Sequence, residues 1–154
     1  LNFLAFVLDL FLHLCSMRLH FWEGYMIGYI TIGTSNGDAS GRFYDAVLGA
    51  IGQERKFADG GWIGYGPKGE DKHNVYVCEP FNKEPATGGN GSMIAFVAPS
   101  KEDVQKAYEG GIGAGGTDEG APGFRPADGN EFFGAYLRDP TGNKICVFTK
   151  VVPA

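Results

Sequence analysis

Histidine is scarce in this 154-residue chain: there are three, and after residue 25 only His73 remains. It sits between Lys72 and Asn74 in a polar turn, where a lone imidazole is ordinarily solvated, so general acid–base chemistry lacks its usual agent. Cysteine is as rare. Cys15, Cys78 and Cys146 lie far apart with no CxxC pair, which argues against a disulfide framework or a zinc site and for a reducing, cytoplasmic setting. Positive charge is in deficit, with 13 Lys and Arg against 18 Asp and Glu. A net −5 offers no basic patch to nucleic acid or to an anionic membrane, so neither is expected as a partner. No apolar run is long enough to span a bilayer. The stretch from Leu1 to Cys15 is interrupted by Asn2, Asp9 and His13, and at ~1.5 Å per residue a helix of that length falls short of the hydrocarbon core. It also lacks the basic start and small-residue cleavage site of a secretory signal.

What the chain does have is a composition for one sizeable core, 44% apolar and 20% charged, in a single domain. Residues 1–25 are expected to be an apolar leader or accessory segment outside that domain; an amphipathic helix covering a groove is the alternative. Regular patterning begins at Met26. Residues 26–34 alternate, with Ile30 and Ile32 on one face and Tyr29 and Thr31 on the other, as in a strand. Ser35 to Asp38 supply turn and N-cap chemistry, and Phe43, Val47, Ala50 and Ile51 then recur at helical spacing until Gly52. Three short strands follow, at 53–57, 62–66 and 74–79, separated by Asp59-Gly60-Gly61 and Pro67-Lys68-Gly69. Residues 81–90 read as a Pro- and Gly-rich linker, after which the pattern restarts. A strand at 92–98 leads through Ser100, a good N-cap, into a helix with Val104, Ala107, Tyr108 and Ile112 on one stripe. Shifting the chain by 64 residues lays Ile30 on Ile94, Tyr44-Asp45 on Tyr108-Glu109 and Gly52 on Gly116, which indicates duplication. The expected fold is α+β: two βαβββ modules, 26–80 and 91–150, whose mixed sheets carry a helix on one face and line a cleft with the other.

The last module ends in FFGAYLRDPTGNKICVFTK, Phe132 to Lys150. Two β-forming runs flank Asp139-Pro140-Thr141-Gly142-Asn143, whose Pro and Gly suit a reversing loop, so the segment predicts a hairpin. Alternation places Ile145 and Val147 toward the core, and Lys144, Cys146 and Phe148 opposite, with Tyr136 and Arg138 from the first strand.

The run Tyr136 to Ile145 resembles the final hairpin of the vicinal oxygen chelate superfamily, which includes glyoxalase I, bleomycin-resistance proteins and extradiol dioxygenases. Phe43-Tyr44-Asp45 and Gly89-Asn90-Gly91 are also similar to common family positions, and the paired βαβββ architecture is the family's own. The resemblance implies a metal set of His or Gln, Glu, His and Glu on the first and last strands of each module. At the corresponding positions this chain has Tyr29, Met93 and Cys146, with the remaining position near Val77. Tyr, Met and Cys make no ordinary Zn²⁺, Ni²⁺ or Fe²⁺ set, so no metal and no cofactor is expected. A Cu(I) site from Met93 and Cys146 is the soft-ligand alternative, against plain apolar packing.

Catalytic candidates are thin. Glu79 serves only if it faces the cleft rather than solvent at a strand end, and Cys146 only if a cation such as Arg138 or Lys144 activates what is otherwise a small buried hydrophobe. The aromatic set favours binding. Tyr29, Trp62, Tyr65, Met93, Tyr136, Arg138, Cys146 and Phe148 are the candidate ligand-binding residues: rings for a planar or amphipathic ligand, and Arg138, with Arg125, for an anion. Two function classes follow from the resemblance: a metal-free binding module like the bleomycin-resistance branch, or a glyoxalase I-like lyase or isomerase with an atypical or absent metal set. The expected partners are a small organic ligand and a second copy of the chain, since each module leaves an apolar, aromatic sheet face to be covered.

Overall fold

The structure, a computed structural model, describes residues 26–151; the expectations for residues 1–25 lie outside the described residues. The first half comprises β1 (Ile30–Gly33), α1 (Gly37–Ala50), β2 (Gln53–Asp59), β3 (Trp62–Pro67) and β4 (Val75–Cys78). The second repeats the plan with β5 (Ile94–Val97), α2 (Lys101–Gly113), β6 (Thr117–Phe124), β7 (Phe132–Arg138) and β8 (Lys144–Lys150). Each half is a four-stranded mixed sheet, ordered β1-β4-β3-β2 and β5-β8-β7-β6. The opening strand lies parallel to the closing one in both, and the other pairs are antiparallel. This is the α+β architecture of two βαβββ modules.

Local chemistry sets the helix ends. The Asn36 side chain accepts from the Ala39 amide at 3.0 Å and Ser100 Oγ from the Asp103 amide at 3.1 Å, each satisfying an orphan donor of a first turn. Past α1 the chain reverses at Gly52, whose φ of +82° only glycine adopts without strain. The apolar stripes of both helices then converge. Phe43, Tyr44, Val47 and Leu48 of α1 and Val104 and Ala107 of α2 are fully buried, together with Val77, Leu137, Ile145 and Val147 from the sheets. One stripe differs from expectation. Ile112 is 38% exposed, and the buried position of that turn is Gly111. A Cβ there would lie 2.9 Å from Val47 Cγ2, so the close approach of the two helices requires glycine at the contact and rotates Ile112 outward.

The strand faces sort as alternation predicts. Ile32, Ile145 and Val147 are buried, and Ile30, Ile94 and Phe96 pack partly buried on the same core. The strands β1 and β5 are shorter than the alternating runs, because pairing with their parallel partners begins only at Val75 and Ile145. The internal repeat also drifts. Ile30 matches Ile94 and Gln53 matches Thr117 at the 64-residue offset, but Trp62 opens β3 and Phe132 opens β7, so the offset has become 70. The extra residues lie in the β6–β7 arm, where β6 breaks register twice.

The modules join through their helices and through the turn 139–143. Asp139 is 3% exposed, and its carboxylate accepts from the Tyr44 hydroxyl at 2.9 Å, from the Thr141 and Asn143 amides at 2.9 Å, and from Asn143 Nδ2 at 2.8 Å. Asn143 Nδ2 also donates to the Gly33 carbonyl at 2.9 Å. Burial, and then the Asp139 charge, push the Tyr44 phenol well above its ordinary pKa, so it stays a donor throughout the physiological range. Tyr44→Phe should cost about 1.5 kcal/mol, one bond to a charged group, while Asp139→Ala should cost about 3 kcal/mol or more by stranding several buried donors. Urea unfolding of the two variants measures the difference; equal losses would mean that the carboxylate acts only through its bridge to Tyr44 and that the turn does not depend on it.

Candidate functional site

Each sheet has one face on the helices and one open face turned away from them. On the open face of the first sheet, Tyr76 is the centre of an aromatic group. Its ring meets those of Tyr29, Trp62, Phe57 and His73 at centroid distances of 5.6, 6.0, 6.3 and 5.5 Å. The Tyr76 hydroxyl lies 2.6 Å from His73 Nδ1. The strand β3 makes room for these rings with glycines. A Cβ on Gly64 would meet the Phe57 ring at 2.2 Å, and one on Gly66 the Lys72 carbonyl oxygen at 1.8 Å. Tyr29 is 67% and Trp62 45% exposed, so the surface is apolar, aromatic and uncovered.

The open face of the second sheet has a different chemistry. Phe132 and Phe148 stack at 4.8 Å with 14° between their planes, over Gly134, where a Cβ would come 2.8 Å from the Phe132 ring. Beside them Tyr136 lies directly across from Cys146. Lys144 Nζ and the Arg125 guanidinium stand 5.8 and 5.7 Å from the Tyr136 ring centroid. Glu119 takes Arg138 at 2.6 Å and Lys144 at 3.1 Å, and these two bonds hold its carboxyl below the usual range. Cys146 is 1% exposed. Burial pushes its thiol up to about 11, against smaller opposing effects from the Tyr136 phenol, Arg125 and Lys144. It is therefore protonated at neutral pH, not a standing nucleophile.

The candidate residues thus divide among three places. Tyr29 and Trp62 are on the first open face; Tyr136, Arg138, Cys146 and Phe148 are on the second. Met93, 47% exposed, immediately precedes β5 as Tyr29 precedes β1. Tyr65 belongs to neither. It is 1% exposed beneath α1, its hydroxyl donating to the Gly41 carbonyl at 3.2 Å and to Asp45 at 3.1 Å, because three steps along β3 from Trp62 reverse the face. Glu79 is exposed past the end of β4 and pairs with Lys83 at 3.4 Å. Val77 is fully buried on the helix side. The position it was to mark belongs to Tyr76, which pairs with Thr31 as Cys146 pairs with Ala95. The drift of the repeat hid Tyr76, since the offset from Tyr76 to Cys146 is 70 and not 64.

The four equivalent positions, two per module, therefore carry Tyr29, Tyr76, Met93 and Cys146. These donors do not fit a hard divalent ion, which needs several groups already deprotonated near neutral pH. Among the described residues no group of three or more His, Cys, Asp or Glu is placed to hold a metal. A groove of about 500 Å³ lies elsewhere, between the start of α1 and the β2–β3 tip, and takes in only Trp62 of the candidates. Asp38 and Asp59 offset Arg42 and Arg55 along it, and Arg55 is already bound by Asp45.

A family model described as Glyoxalase/Bleomycin resistance protein/Dioxygenase superfamily matches residues 26–147. A glyoxalase/bleomycin resistance protein from Albidiferax ferrireducens T118 is 36% identical, with a TM-score of 0.71 over 81% of this chain and 99% of that one. A glyoxalase-related enzyme from Fulvimarina pelagi, at 20% identity and a TM-score of 0.62 over 84% of this chain and 99% of that one, shares the fold. So does a glyoxalase/bleomycin resistance protein/dioxygenase family enzyme from Burkholderia phytofirmans PsJN, at 21% and 0.58 over 80% and 98%. No curated protein matches the chain.

The Cys146 thiol predicts a pH dependence of stability. A group that ionises near 9 when unfolded and at about 11 when folded holds its proton more tightly in the native state. Stability is then undiminished below pH 9 and falls as pH rises toward 11, by at most about 1.4 kcal/mol per pH unit. Urea unfolding at pH 8, 9 and 10 should show this decline, and Cys146→Ala should lessen it whatever its own offset, leaving the share of Cys78, whose thiol burial also pushes up; an unchanged slope would show that the Cys146 thiol is not protected by the fold.

Proposed function

The chain belongs to the Glyoxalase/Bleomycin resistance protein/Dioxygenase superfamily, and from that premise we propose that it is a metal-free small-molecule-binding protein resembling the bleomycin-resistance branch. The observation that carries this is the occupancy of the four equivalent positions by Tyr29, Tyr76, Met93 and Cys146. Two phenols, a thioether and a buried, protonated thiol give a ligand stacking surface and a hydrogen-bonding edge without the charge that anchors a hard cation. The alternative, a glyoxalase I-like lyase or isomerase with an atypical or absent metal set, would have to build metal-free chemistry on Cys146 or a tyrosine, and a thiol raised to about 11 is poorly prepared for it.

The binding cleft is a property of a homodimer. Within one chain the described strands of one sheet do not reach those of the other; the helices lie between them. Each open face is therefore half a cleft. The opening strands β1 and β5 each leave one edge unpaired, and Tyr29, Trp62, Met93 and Val97 are exposed nearby, Val97 at 68%. Pairing the first sheet of one copy with the second sheet of another covers these residues and closes two cups at once by a two-fold axis. Among the described residues no helix is long and apolar enough to cross a membrane. Free thiols at Cys78 and Cys146 support the reducing cytoplasm as its setting.

Light scattering at micromolar concentration should give twice 16.5 kDa, and Val97→Glu should halve it. Purified protein should carry well under one equivalent of Ni²⁺, Zn²⁺, Mn²⁺ or Fe²⁺, and chelator should leave its melting temperature unchanged. One tightly held metal per chain, lost together with a catalytic activity in Cys146→Ala, would replace the binding module with the enzyme.

A further inference from the structure

Resting on the two-subunit cleft proposed above, we infer that its ligand is a planar aromatic anion, with its ring on the first open face and its carboxylate or equivalent group bound by Arg125 of the partner subunit. The two faces differ in a way that selects this class. The rings of the first, Tyr29, Phe57 and Trp62 gathered on Tyr76, present π surface. On the second, the cations Arg125, Arg138 and Lys144 gather about Tyr136 and one carboxylate, Glu119, with Lys150 further along the same face across from Phe132. That carboxylate is consumed by Arg138 and Lys144.

Arg125 is left over among the described residues. Its Nη1 donates to the Phe124 carbonyl and its Nη2 to the Ala121 carbonyl, both at 2.9 Å, so the guanidinium is held in place by neutral groups that leave its charge uncompensated. Two of its five N–H donors are used, and the rest remain for a ligand. The half-buried guanidinium lies against the Tyr136 ring and acts electrostatically on Cys146, which places its charge over the floor of the cup. It reaches that floor because it sits in the β6–β7 arm, the part of the second module that is longer than its counterpart in the first. A fixed, unneutralised fork suits the two coplanar oxygens of a carboxylate, and its low reorganisation makes the bond stronger than that of a mobile surface lysine. The net charge of −5 repels anions at long range, so the selection is local to the cup.

The test uses the full chain as the dimer and two isosteric probes, 2-naphthoate and its neutral amide, by titration calorimetry. The carboxylate should bind at least tenfold more tightly than the amide. Arg125→Gln should bring the two to the same affinity with the dimer mass unchanged, and Arg125→Lys should keep part of the preference. Equal binding of both probes by the native protein, or a preference that survives Arg125→Gln, overturns the anion assignment and leaves the binding cleft standing. Failure of both probes to bind overturns the assignment and counts equally against the binding cleft.

Discussion

The carboxylate of Asp139 is the tie on which the arrangement of the two modules depends. It closes its own turn through the Thr141 and Asn143 amides and reaches out of it to the Tyr44 hydroxyl of α1. Asn143 extends the same cluster to the Gly33 carbonyl at the end of β1. Thr34 continues it, 2.7 Å from Ser40 Oγ and 3.4 Å from Thr141 Oγ1. Each of these groups is polar and at least partly buried, so each depends on the others for satisfaction. The chain between the modules is drawn into the same junction: a Cβ on Gly88 would meet the Gly142 carbonyl oxygen at 2.2 Å, which leaves room only for glycine. With the turn of the second module fastened to the first helix and first strand of the other, the helices are trapped in the middle and both open faces look outward.

That geometry explains which parts of the molecule could be read from residues alone. Alternation sorted β1, β5 and β8 correctly because each packs one face on the helices and turns the other to the open side of its sheet, so a shift of one residue would exchange Ile145 and Cys146. The caps at Asn36 and Ser100 were legible because their chemistry is local. The failures lie where a distant contact decided. Glycine at 111 looks like a helix breaker until α1 is placed against it. Tyr65 was drawn into the site by its ring, although alternation from Trp62 through Ile63 and Gly64 already turns it to the core, where Gly41 and Asp45 receive its hydroxyl. Tyr76 was missed because a rigid 64-residue comparison ignores the lengthened arm. Aligning Gly64 with Gly134, each lying under an aromatic ring, would have corrected the offset and found it.

Duplication supplied two similar cups, and their contents have since diverged along physical lines. In the first, Phe57 lies over Gly64 and the Lys72 and His73 backbone lies against Gly66, so the floor is raised and lined with rings. In the second, Tyr136 stands at the position equivalent to Gly66, and the longer arm brings Arg125 over it. Equal cups facing each other across a two-fold axis would offer a ligand the same chemistry from both sides. Unequal ones would give the proposed cleft a polarity, aromatic at one wall and cationic at the other, and so an orientation for a ligand.

The side chain at position 146 bears at once on the donor set and on the stability of the sheet. The place is 1% exposed, at the centre of β8 with Tyr136 across from it. In metal-using members of the superfamily a glutamate is usual there, and a bound cation compensates its charge. With Tyr29, Tyr76 and Met93 at the companion positions, no cation would be held. A carboxylate would then face the cost of an unpaired buried charge, several kcal/mol, relieved only in part by Arg125 and Lys144 at a distance. A thiol avoids that cost, because burial simply raises its pKa and keeps it neutral. Beside Tyr29, Tyr76 and Met93, cysteine at 146 is therefore the tolerable residue, and among the described residues it leaves Arg125 with no carboxylate paired to it.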